Sequence, residues 1–128
     1  MTPEQLSLNE ALPIASNKLG QITKTGRFPE LQASLDGILK AVNDLQSNKI
    51  IVDDESVRNA SESVTRLYRI SMAQANATPQ EYQQPIFQCY GDYEKCLAKQ
   101  TSASGKALCV TLFVLSLADN LLSLSISS

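Results

Sequence analysis

The chain contains no histidine and no tryptophan. The first absence excludes much chemistry at once. Ser-His-Asp and Cys-His nucleophiles, His-x-Glu deaminase sites and HExxH zinc sites all need an imidazole. Haem and non-haem iron held through histidine go with them. Only three cysteines are present and none forms a Cys-x-x-Cys pair, so a structural zinc site lacks its ligands. No cofactor is expected, no residue can be named as a catalyst, and the chain reads as something other than an enzyme.

Charge is also scarce. Charged residues make up 19% of the chain and the net charge is −2, with a pI near 5.0. An acidic chain with no basic run has no general electrostatic attraction for nucleic acid or anionic lipid. The first ten residues, Met1 to Glu10, are acidic and lack both a basic stretch and a continuous apolar run. They do not read as a secretory leader, so the expected location is cytoplasmic.

Strand signals are missing too, and no internal repeat or inter-domain linker is visible. What remains is helical punctuation along 128 residues, a length that suits one domain. Thr2-Pro3 starts a first helix, with Leu6, Leu12, Ala15, Leu19 and Ile22 in its stripe and a stop near Gly26. A second helix covers about Pro29 to Ser47, where Leu31, Leu35, Ile38, Leu39, Val42 and Leu45 share one face. Gly37 inside it suggests a close helix contact. Asp53 or Asp54 caps a third helix that turns Val57, Ala60, Val64, Leu67, Tyr68 and Ser71 inward and pairs Glu62 with Arg66. Thr78-Pro79 with Glu81 forms a capping box for a fourth. Ser104 is the expected cap of the last. The fold class is therefore all-α, a single up-and-down bundle of four or five helices, with kinks near Pro13 and Pro85.

The last stretch, residues 107–128, holds one charge, Asp119. It is long enough to span a membrane, but a carboxylate near its middle costs about 2.5–3.5 kcal/mol. On a helical wheel Ser116, Asn120, Ser123 and Ser127 form one narrow polar seam. Val110, Val114, Leu117, Leu121 and Leu124 form an apolar stripe. That pattern describes a largely buried C-terminal helix, with a membrane segment the least favoured reading.

Two groups of residues stand out as candidate sites. Tyr82, Phe87, Tyr90 and Tyr93 crowd the stretch from 82 to 93 and make a candidate interaction surface, set against the plainer reading of core packing. Cys89 and Cys96 are seven residues apart on one helix, so they cannot bridge. Cys96 and Cys109 lie equally far from the turn at Ser102-Ala103, which allows a disulfide across an antiparallel hairpin. Three reduced, buried thiols are the preferred reading for a reducing compartment. Gly105-Lys106 resembles the end of a phosphate-binding loop, but Gln100 stands where the first glycine is required. The functional expectation is a non-catalytic protein that works through a protein partner or through itself as a homo-oligomer. A carrier of a small apolar ligand between helices is the alternative, and a membrane-associated protein the third reading.

Overall fold

In a computed structural model the chain forms five helices. The structure describes residues 3–26, 29, 31–47, 54–73 and 80–127; side chains are described from 7 in the first helix, from 83 in the fourth and up to 123 in the last. The helices are α1 Pro3–Thr25, α2 Gln32–Ser47, α3 Asp54–Ala73, α4 Gln80–Ala98 and α5 Ala103–Ser127. No strand occurs among the described residues. The expected capping residues Thr2, Asp53, Thr78 and Pro79 lie outside them.

Each helix buries the face that its apolar spacing marks out. On α1 these are Leu8, Leu12, Ala15, Leu19 and Ile22, at alternating steps of four and three. Pro13 is exposed and α1 runs through it as one helix. Pro85 likewise lies inside a continuous α4. The end of α1 shows how a helix terminus is satisfied. Thr25 Oγ1 donates to the Ile22 carbonyl at 2.7 Å and Gln32 Nε2 donates to the Thr23 carbonyl at 3.1 Å. Gly26 then takes φ +63°, the left-handed conformation that ends many helices.

Two local expectations are corrected. A Cβ built on Gly37 meets nothing within 4 Å, so no close helix contact explains that glycine. The cap of α5 is Ser102 and not Ser104. The Ser102 carbonyl accepts from Lys106 N–H at 3.1 Å and its hydroxyl accepts from Gly105 N–H at 3.0 Å, which is the N-cap pattern. Gly105 is the glycine with a steric reason. A Cβ there would run into the Gln100 side-chain amide, with Ser102 Oγ 3.1 Å away.

Side-chain pairs fix the helix directions. Ser16 meets Asn43 and Thr23 meets Gln32, so α1 and α2 are antiparallel. Ser61 meets Tyr93 while Ser71 meets Gln83, so α3 and α4 are antiparallel. Cys96 meets Cys109 while Cys89 meets Asn120, which sets α5 antiparallel to α4. Neighbours in sequence are neighbours in space, and α5 packs along α1 and α4 and reaches α3. The buried side chains of all five helices form one cluster.

The polar seam of α5 lies at the surface: Ser116, Asn120 and Ser123 are exposed. Asp119 is exposed beside it, 2.6 Å from Lys18 Nζ of α1. Val110, Phe113, Val114, Leu117 and Leu121 are buried, and Leu112 alone among the larger apolar residues of 107–121 is well exposed, at 47%. Ala103–Ser123 is apolar and long enough to cross a membrane by length and composition, and 56% of it is buried inside the bundle.

Candidate functional site

The α3–α4 face gathers most of the aromatic residues. Antiparallel packing sets Ser61, Thr65 and Tyr68 of α3, spaced four and three residues apart, opposite Tyr93, Tyr90 and Phe87 of α4. Three and four are the helical repeats, so both rows stay on facing sides for several turns. The rings form a ladder. Phe87 meets Tyr68 edge-on with centroids 5.6 Å apart. Tyr68 stacks on Tyr90 at 4.2 Å with planes 6° apart. Tyr90 leans on Tyr93 at 5.7 Å, and Tyr93 on Phe113 of α5 at 5.7 Å. These are favourable ring geometries, each contributing about 0.5–1.5 kcal/mol beyond burial.

Of the four rings expected at a recognition surface, Tyr93 is not there. It is 3% exposed and its hydroxyl is held 2.6 Å from the Ser61 hydroxyl, because a buried phenol needs a polar partner. Tyr90 is half-buried, with its hydroxyl 3.3 Å from Thr65 Oγ1. Phe87 is at the surface, 37% exposed. The side chain of Tyr82 lies outside the described ones. The packing reading thus fits the inner rungs and the surface reading fits Phe87. Tyr68 was expected on the inner side of α3, but its stacking on Tyr90 is invisible in sequence, because it depends on the register between two helices.

Burial raises the Tyr93 pKa above the ordinary tyrosine range, and the Ser61 hydrogen bond offsets this only in part. The neutral phenol is therefore the form the fold prefers. Its contribution to stability is fully present below the unfolded tyrosine pKa of about 10 and is lost as pH rises through the higher folded value. The expected result is a fall in urea midpoint above about pH 10 that is shallower in Tyr93→Phe. Equal slopes in the two proteins would show that this phenol does not control the alkaline limb.

The cysteines depart from the preferred reading. Cys96 and Cys109 are joined by a disulfide, with Cα atoms 5.7 Å apart, and Cys89 is the one free thiol. The reason is the equal distance from the turn, which brings the two Cβ atoms to one height on facing helices. Cys89 is buried and receives a long contact from Asn120 Nδ2 at 3.8 Å. Desolvation raises its pKa, so it is a poor thiolate. Among the described residues no three His, Cys, Asp or Glu side chains converge to hold a metal ion. Glu62 and Arg66 do not form the expected pair; among the described residues the ion pair is Lys18–Asp119.

No protein-family model, no curated protein and no solved structure matches this chain.

Proposed function

We propose that the protein acts by binding another protein, without catalysis, and that the outer end of the aromatic ladder is the seat. Phe87 carries the reading. It is a large ring at the surface, backed by Tyr68 and, through Tyr90 and Tyr93, by the core residue Phe113. Met72, one turn beyond Tyr68 on α3, is 53% exposed and widens the apolar rim. A ring already held by its neighbours loses little conformational freedom on contact, which is what an interface anchor needs. A second copy of the chain is one candidate partner. Most of the apolar residues of 107–121 are buried within the chain, so this stretch offers little apolar surface to a second copy.

Native mass spectrometry of wild type and Phe87→Asp from buffer without reductant tests this. A dimer that Phe87→Asp converts to monomer identifies a second copy as the occupant. A monomer whose co-purifying protein is lost in Phe87→Asp identifies a different partner. The substitution should change fold stability by only about 1 kcal/mol, since it removes one edge-on contact at a surface position. Associations that survive Phe87→Asp unchanged would move the seat elsewhere. A monomer that carries a bound small apolar molecule would turn the reading toward a ligand carrier.

A further inference from the structure

A groove of about 1010 Å³ runs along α3, from Arg69 to the α4–α5 turn. Its lining is charged and polar. Arg58, Arg66 and Arg69 come from α3 and Lys106 from the first turns of α5; Asp54 and Glu62 are the acidic members. Four cations thus face two carboxylates in a chain whose net charge is −2. Arginine placement is selective: the chain has four arginines and three of them are here. The lysines are spread more widely, over α1, α2, α4 and α5 among the described residues.

Among the described residues no carboxylate pairs with these cations. Asp54 precedes Arg58 by four residues and Glu62 precedes Arg66 by four, both good spacings for pairing on a helix. Among the described residues neither pair forms. Arg66 and Arg69 stand one turn apart on the same face, so both planar guanidiniums can reach one group. Arginine forks match phosphate oxygens two at a time, which lysine cannot do. Thr101 and the aliphatic Leu97 line the opposite wall. The balanced end of the groove, Asp54, Arg58, Glu62 and Lys106, suits a neutral polar body better than a second anion. The acidic chain as a whole disfavours a long polyanion such as nucleic acid.

We infer that this groove binds a phosphorylated small molecule or headgroup, with the phosphate held between Arg66 and Arg69. The site uses other residues than the ladder's outer rim, although Arg69 neighbours Tyr68 on α3, so the two are tested by different variants. The probes are inorganic pyrophosphate and, in a parallel arm, phosphatidylcholine vesicles with and without phosphatidic acid. Binding to wild type is followed through the arginine Nε–Hε resonances at roughly 0.15 M salt, where weak surface attraction is screened. Pyrophosphate should shift Arg66 and Arg69 saturably. Arg66→Gln/Arg69→Gln, compared with wild type by calorimetry because the two reporting guanidiniums are gone, should weaken binding about tenfold or more, since it removes charge-assisted contacts, with the circular dichroism spectrum unchanged. Lys24→Gln/Lys40→Gln, which alters exposed cations on α1 and α2, should bind as wild type does. Binding to phosphatidic acid vesicles in place of pyrophosphate assigns the phosphate to a lipid headgroup; the reverse assigns it to a soluble ester. Absence of saturable shifts with both probes overturns the inference, as does binding that Arg66→Gln/Arg69→Gln leaves intact.

Discussion

Removal of residues 107–128 is expected to unfold the remaining chain. The deletion takes away Val110, Phe113, Val114, Leu117 and Leu121, all buried against other helices. At about 1.5–3 kcal/mol for each buried apolar side chain, the loss is on the order of 10 kcal/mol. A domain of this size has only about 5–15 kcal/mol in total. The loss is also placed badly for recovery, because α1, α3 and α4 all pack on α5 and would be left with bare apolar faces. Far-UV circular dichroism of residues 1–106, with Cys96→Ser to prevent a stray thiol, should show most of the helix gone. A graded version is Leu117→Ala in the full chain, a fully buried site where truncation costs about 2–5 kcal/mol. A truncated chain that stayed helical and showed a cooperative urea transition would mean that α5 is an appendage, and its length and apolarity would then point to a membrane. The two outcomes separate the readings that composition alone left open.

Much of the fold was legible because helices announce themselves locally. The steps of three and four from Leu12 to Ile22 and from Leu31 to Leu45 mark buried faces that the structure keeps. The seam of Ser116, Asn120 and Ser123 on α5 was readable for the same reason: one helix carries its own periodicity. Features that depend on a second element were harder. Ser102, rather than Ser104, caps α5 because the helix begins two residues earlier, and spacing does not distinguish two serines two apart. Pro13 lies on the solvent side of α1, where its ring has room. The candidate site was the least legible. Composition shows that tyrosines crowd α4, but only the pairing of Tyr68 with Tyr90 and Phe87 separates the exposed ring from the buried ones. The three arginines were readable as one side of α3 from their own spacing, whereas the arrival of Lys106 beside them depends on how α5 packs.

Loss of the Cys96–Cys109 bond is expected to lower stability by about 3 kcal/mol, or roughly 10 °C in Tm. The two residues are 13 apart in sequence, and closing a loop of that length restricts the unfolded chain by about that amount. Cys96→Ala/Cys109→Ala is the suitable variant, because Cys109 is 1% exposed and a serine would bury an extra hydroxyl there. Wild type heated with reductant should melt close to the variant, while reductant should leave the variant unchanged. Equal melting of all four samples would show that the bond does not form in the protein as isolated. Cys89 does not complicate the experiment. It sits about 10.5 Å along α4 from Cys96, and burial keeps it protonated, so it is not placed to attack the bond. The same bond bears on where the protein works. Stable disulfides are rare in reducing compartments, so a hairpin closed by cystine runs against the cytoplasmic expectation. Alkylation of cells before lysis, followed by mass measurement, decides between them. A chain carrying three alkyl groups is reduced in place. A chain carrying one, on Cys89, is oxidised where it functions, and the expected location then shifts to an oxidising compartment.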